Sequence, residues 1–280
     1  MILRFPGAKT KLLPRLRPYL DKLVDGHDSF HDAFIGSGAV LLDTARRHPG
    51  LKLYANDADS GLIDFWKIVS GKSVEPLCER IRSTRPTLRL YKDMLASKPT
   101  EPEEIAFRFY FLNRTSFSGL WRGGPIGGYT QRNRWKVDVE WRPEKSVKDI
   151  IEGHRLLRGR LRLSCMPGAD YVADNIKKPL FIDPPYFGCG DRLYREKMTF
   201  TEYVELSRLL RKARSWVVPV MGVDLGRQPR RAADVLVGLR PHHPGPLQHR
   251  QHPSQTRLGA GACHYAELML ASSCRRTFPD

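Results

Sequence analysis

The sequence predicts a doubly wound α/β sheet carrying a mainly helical insertion, and three stretches carry that expectation. Residues 29–35 read as a strand, Gly36-Ser37-Gly38 as a tight turn and residues 39–42 as the start of a helix. Residues 51–55 give a second strand ending in Asn56-Asp57-Ala58-Asp59. Leu180-Phe181-Ile182 is a short apolar run suited to a buried strand, and Pro184 ends any pairing because it has no N–H. Acidic residues thus arrive at the C-terminal tips of strands, where open α/β sheets bind ligands.

The N-terminal stretch, residues 4–9, contains a turn-forming Pro6-Gly7 and leads into leucines at 12, 13, 16 and 20 with helical spacing. Pro14 and Pro18 limit how regular that helix can be. The strand, glycine turn and helix over residues 29–42 let a ligand approach backbone N–H groups at a helix N-terminus, although the third glycine of the dinucleotide fingerprint is absent. Asp57, about 20 positions after the turn and at the tip of the next strand, is placed to hydrogen-bond ribose hydroxyls.

Between residues 60 and 160 the α/β rhythm is interrupted. Helical segments fall near residues 62–69, 76–81 and 103–112, followed by Asn113-Arg114-Thr115-Ser116-Phe117-Ser118-Gly119-Leu120-Trp121-Arg122. A glycine-rich run, 123–129, continues into Gln131-Arg132-Asn133-Arg134-Trp135-Lys136. Basic side chains mixed with aromatics and amides suit a DNA-reading surface, with charge for phosphates, forked donors for base edges and rings for stacking. Polar loops share that composition. A helical stripe then returns through Val147, Ile150, Ile151 and Leu157, with His154 read as a packed side chain. Residues 161–165 alternate like a strand, and Asp170 follows in a short loop. Thr201 is a candidate cap for a helix bearing Tyr203, Leu206, Leu209 and Leu210, before a further strand at Trp216.

The chemistry centres on Asp183-Pro184-Pro185-Tyr186. A residue before proline is steered away from the helical region, so two prolines hold this backbone extended. That stiffness can aim the Asp183 carboxylate and the Pro184 carbonyl at one point, which suits an exocyclic amino group with two hydrogens. Tyr186 offers a flat face to a planar base. A strand ended by a proline turn has the same local sequence, and the accompanying motifs tip the reading.

Composition supports a polyanionic partner: the 280 residues carry a formal net charge of +17 and a pI near 9.9. No apolar run approaches the ~18 residues of a membrane span, and the start lacks the apolar core of a signal peptide, so a cytoplasmic protein is expected. The five cysteines are odd in number and form no Cys-x-x-Cys pair, which suggests neither a disulfide framework nor a metal site. Cys189, near the central motif, is read as a bystander.

Residues 4–9, 32–38, 56–59 and 183–186, in that order, resemble the motifs of the Dam-like adenine-specific DNA methyltransferases. Residues 112–120 are similar to a stretch of that family's target-recognition region. The likeness covers roughly residues 1–216. It implies a Rossmann-like methyltransferase sheet, with 1–59 and 161–218 as the cofactor-binding and catalytic domain and 60–160 as the target-recognition insertion. It further implies S-adenosylmethionine as methyl donor and an adenine flipped out of double-stranded DNA. Carried over by position, Phe5, Lys9, Asp32, Phe34, Gly36, Gly38, Asp57, Asp170 and Asp183 are expected at the cofactor, and Asp183, Pro184, Pro185 and Tyr186 at the reacting base. Asn113, Arg114, Ser116, Arg122, Arg132, Arg134 and Lys136 are expected at DNA. A monomer without a metal is expected, and a cognate restriction nuclease is a candidate partner. Ala33 stands where the family usually has proline and Ala8 where glycine is common. Methylation of cytosine, or of an RNA or protein amide, uses similar motifs, and aspartate at 183 favours adenine.

From Pro219 the resemblance fails. Residues 219–280 contain eight arginines and five of the nine histidines, but no lysine, isoleucine or asparagine. Such a composition fits a GC-rich gene read out of frame, or a divergent tail, and stretches such as residues 240–246 have neither strand nor helix periodicity. Residues 265–270 again look like the family's last strand. The segment is therefore expected to be irregular, and a catalytically impaired DNA-binding remnant is the competing reading.

Overall fold

The computed structural model describes residues 1–5, 7, 9–120, 123–185, 198–221 and 233–239. Among the described residues, six strands make one sheet: β1 (Ser29–Asp32), β2 (Lys52–Asp57), β3 (Leu161–Cys165), β4 (Pro179–Phe181), β5 (Ser215–Met221) and β6 (Ala233–Leu239). They lie in the order β3-β2-β1-β4-β5-β6, and only the last pair is antiparallel. This is the expected Rossmann-like α/β architecture.

Every residue of β1 and β4 is buried, as in a parallel sheet covered on both faces. The side-chain period of two sorts neighbours to opposite faces. Phe181 and Val217 join the core that contains Leu16, Phe30, Leu53 and Trp66, whereas Leu180, Ile182 and Val218 join a second core with Tyr171, Leu206 and Leu210. Helices α1 (Leu13–Val24), α2 (Ala39–Arg47) and α3 (Ser60–Ser70) supply the first layer; α8 (Gly168–Asp174) and α9 (Phe200–Lys212) supply the second.

The strand order reverses between β1 and β4, which places a crevice beyond their C-terminal ends. Asp32 pairs in register with Phe181, and Ala33 N–H donates to the Phe181 carbonyl at 2.9 Å. Asp183 follows Phe181 by two residues, so the pairing itself brings the Asp183 and Asp32 segments side by side.

Four further helices, α4 (Glu75–Ser83), α5 (Leu88–Ala96), α6 (Pro102–Thr115) and α7 (Pro143–Leu157), fill the interval 71–160. Helix α5 has no counterpart among the helices expected from the sequence, and α6 runs three residues beyond its expected end, through Asn113-Arg114-Thr115. Its N-terminus carries Pro102 in the first turn and Glu103 and Glu104 near the positive end of the dipole. Helices α3 and α6 pack face to face, with Phe65 stacked on Tyr110 at 5.9 Å between centroids. Helix α1 is continuous although Pro18 lies inside it.

Three local expectations are corrected. Asp170 lies in the first turn of α8 rather than in a loop, because the chain turns into helix at Gly168. The cap of α9 is Thr199, not Thr201: Glu202 N–H donates to Thr199 Oγ1, and Thr199 N–H donates back to Glu202 Oε2 at 2.5 Å. The segment after residue 219 is not wholly irregular, since β5 continues through Pro219 to Met221 and Ala233–Leu239 pairs along its whole length. Proline is tolerated where the strand's N–H is not required. Strand β6 covers the β5 edge that would otherwise present unpaired backbone. Residues 265–270 lie outside the described residues.

Candidate active site

The turn after β1 is shaped by glycine. Gly36 and Gly38 have φ of 45° and 68°, a left-handed region that L side chains disfavour. At Gly38 the packing is as demanding as the torsion, because a Cβ there would meet the Trp66 ring at 2.4 Å. Trp66, on α3, also donates its indole N–H to the Gly36 carbonyl at 3.2 Å. The Phe5 ring lies 3.8 Å from where a Gly36 Cβ would stand. A bare backbone turn with an aromatic beside it is thus held open at the N-terminus of α2.

The two acids at the strand tips have different partners. Asp57 Oδ2 accepts from Gly36 N–H at 3.1 Å and its Oδ1 from Asp59 N–H at 3.2 Å, while burial pushes its carboxyl up to about 6. Asp32 is fully buried and accepts only from Phe34 N–H at 3.2 Å among the bonds described. Burial, reinforced by the charges of Asp183 and Asp57, pushes it up to about 8. Asn56 ties the strand tips together: its amide donates to Ala33 O and Met166 O, at 3.2 and 3.0 Å, and accepts from Met166 N–H.

Lys9 reaches this cluster from the N-terminal segment. It is buried, and its Nζ lies 2.6 Å from Asp183 Oδ2. Burial raises the Asp183 carboxyl above its ordinary value, and the Lys9 ammonium opposes that rise by charge and by hydrogen bonding. Lys9 also donates to Gly7 O at 3.0 Å, bending its own segment around the ammonium. Pro185, two residues on, has its carbonyl held by the Tyr203 hydroxyl from α9. The Phe34 ring packs on Gly168 at the start of α8, where a Cβ would stand 2.1 Å from Cζ. Asp170 lies exposed two residues further on. The structure therefore brings Phe5, Lys9, Asp32, Gly36, Gly38, Asp57 and Asp183 to one sheet edge. Tyr186 lies outside the described residues.

Residues 5–210 match the model of the D12 class N6 adenine-specific DNA methyltransferases. The chain belongs to that family. It is 22% identical over 227 residues to the Type II methyltransferase M.CviBI of Paramecium bursaria Chlorella virus NC1A, covering 79% of this chain and 82% of the relative. It is 24% identical over 222 residues to the Type II methyltransferase M.MjaIII of Methanocaldococcus jannaschii, covering 72% and 73%. The protein is an adenine-specific DNA methyltransferase. No helix among the described residues is long and apolar enough to cross a membrane.

For a DNA methyltransferase, the placement of the basic side chains decides which of them can meet the substrate. Arg132, Arg134 and Lys136 are exposed, and Arg134 lies over the Trp135 ring at 5.0 Å. Their loop is built around Gln131, whose amide donates to Ile126 O and Gly128 O and whose oxygen accepts from Val137 N–H at 2.9 Å. Arg122 lies outside the described residues.

Asn113, Arg114 and Ser116 do not present their side chains at the surface. They are 4%, 8% and 0% exposed, because α6 continues past residue 112 and turns them inward. Arg114 donates to Met1 O at 3.1 Å and to the Tyr110 hydroxyl at 3.2 Å. Phe117, by contrast, is 64% exposed at the following turn, and Tyr129 and Trp135 are likewise exposed. An aromatic just beyond a helix and between two serines was a signal the sequence contained, although the polar and basic residues of that segment were the expected DNA contacts. Trp66 and Tyr203 had no such signal, because each reads as one apolar residue in a helical stripe.

Proposed function

We propose that this methyltransferase moves a methyl group from S-adenosylmethionine to the N6 amino group of an adenine flipped out of double-stranded DNA, with Asp183 as the group that accepts hydrogen from that nitrogen. The Lys9–Asp183 pair at the reversal point of the sheet carries this reading. S-adenosylmethionine supplies an electrophilic methyl carbon bonded to a sulfonium sulfur. The glycine turn with Phe5 beside it fits the donor's amino-acid moiety, and Asp57 at the tip of β2 fits its ribose hydroxyls, since each carboxylate oxygen keeps a second lone pair.

Asp183 accepts one amino hydrogen and the Pro184 carbonyl accepts the other, which draws the nitrogen toward tetrahedral geometry and frees its lone pair. Asp183 would also take the excess proton from N6 once the amino group carries the methyl. Lys9 favours the charged form of that carboxylate against the burial that opposes it. A proton on Asp32 at neutral pH spares Asp183 a second negative neighbour. Tyr203 fixes the Pro185 carbonyl and so the path of the peptide after Pro184.

Residues 60–160 are proposed to carry target recognition. Exposed Arg132, Arg134 and Lys136 suit phosphates, and exposed Phe117, Tyr129 and Trp135 suit unstacked bases. Asp170, at the exposed start of α8, is proposed near the donor's adenine.

Transfer of labelled methyl into DNA, followed by mapping of the modified adenines, tests the assignment. Asp183→Ala is expected to lower turnover by at least about 10³-fold with DNA affinity retained. Substantial residual turnover would remove Asp183 from its role. The competing reading, a DNA-binding remnant, requires wild-type protein that binds DNA and transfers nothing. The assembled acid cluster and the β5–β6 pairing favour the enzyme.

A further inference from the structure

Asn113 makes an arrangement that the reaction as described does not use. Its Oδ1 accepts from Arg4 N–H at 2.8 Å, and its Nδ2 donates to Arg4 O at 2.7 Å and to Gly119 O at 3.2 Å. One side chain thus grips both backbone polar groups of residue 4 and the last residue of the 3-10 turn Phe117–Gly119. The grip is tight on the other side too, since a Cβ on Gly119 would lie 2.3 Å from Arg4 O. Arg4 Nη1 donates to Ser116 O at 3.2 Å, and Tyr91 hydroxyl meets Ser116 Oγ at 3.3 Å.

The same short segment runs from this grip into the active site. Phe5 lies beside the Gly36 turn, and Lys9 pairs with Asp183. On the far side, Phe117 projects from the gripped turn, and Ser118 holds a φ of 54°, a conformation that a serine keeps only when its surroundings impose it. The hydrogen-bonded block at Arg4 therefore joins an exposed aromatic turn to the same chain segment that, five residues on, carries the ammonium paired with Asp183.

We propose that Asn113 is a positioning residue: it couples the Phe117–Gly119 turn to the segment bearing Lys9, so that engagement of DNA at the turn sets the Lys9–Asp183 pair for methyl transfer. This rests on the role proposed for Asp183. A buried amide is suited to the task because it both donates and accepts, which aspartate cannot do when ionised. Displacement of a catalytic group by about 1 Å costs on the order of 10²-fold in rate.

Asn113→Asp retains the acceptor for Arg4 N–H but sets a carboxylate oxygen against the Arg4 and Gly119 carbonyls, and Asn113→Ala removes the grip without adding charge. Amide hydrogen exchange without DNA or methyl donor is expected to show residues 3–12 and 116–120 losing protection together in both variants. Loss confined to 116–120 would overturn the coupling whether or not the protein is an enzyme. In single-turnover transfer, each variant is expected to lower the rate about 10²-fold with DNA affinity within about threefold of wild type. Adding either change to Lys9→Met is expected to cost little more than Lys9→Met alone. Multiplicative losses, or a defect seen only as weaker DNA binding, would refute the proposal. A wild-type protein that transfers nothing while the two segments still open together would instead sink the reading of Asp183.

Discussion

Lys9 Nζ stands 2.6 Å from Asp183 Oδ2, in a cluster that also contains Asp32 and Asp57, acids at strand tips. The Lys9 charge favours the ionised forms of Asp183 and Asp32, which burial pushes toward the neutral form, as it does Asp57. The balance among them is where pH and mutation should act most visibly.

Replacing Lys9 by methionine keeps most of the buried volume and removes the charge. Asp183 then loses the influence that opposes its raised pKa, so its carboxylate forms only at higher pH. The acid limb of the transfer rate is expected to move to higher pH, with a fall of roughly 10²-fold at neutral pH. A single-turnover pH profile of the variant measures this, and an unshifted limb would mean that the ammonium does not set the charge on Asp183.

Asp32 predicts a pH dependence of stability. Its ordinary value is 3.8 and its folded value about 8, so between those limits the native chain binds a proton that the unfolded chain lacks. Stability is then greatest near the lower limit and declines as pH rises toward 8, with a slope of up to about 1.4 kcal/mol per pH unit from this group. Asp32→Asn should flatten that decline in urea unfolding measured from pH 5 to 8. An equal slope in both proteins would exclude Asp32 as its source.

The basic side chains between residues 114 and 136 separate into two kinds by exposure. Alanine at Arg132, Arg134 or Lys136 is expected to weaken DNA binding and to reduce the slope of log affinity against log salt by about 0.9 for each phosphate left without its cation. Arg114→Ala should leave that slope unchanged. It should instead lower stability by about 2 to 4 kcal/mol, because Met1 O and the Tyr110 hydroxyl lose a buried donor. Salt titrations paired with denaturation curves distinguish the two, and a reduced slope for Arg114→Ala would restore it as a DNA-binding residue.

Most local elements were legible in the order of residues alone. The strand, glycine turn and acid at residues 29–57 announced themselves because apolar and aromatic runs, glycines and strand-end acids each act over a few residues. The apolar run before Asp183-Pro184-Pro185 was legible for the same reason. The strand at 233–239 was not, because the composition around it masked a short apolar run that becomes a strand only against β5. Long-range packing chose which carboxylate received Lys9, turned Asn113 and Arg114 inward, and set Trp66 and Tyr203 against the backbone of the site. Those outcomes depend on meetings between segments distant in the chain. Strand order and helix rotation govern such meetings, and neither is encoded within any one stretch.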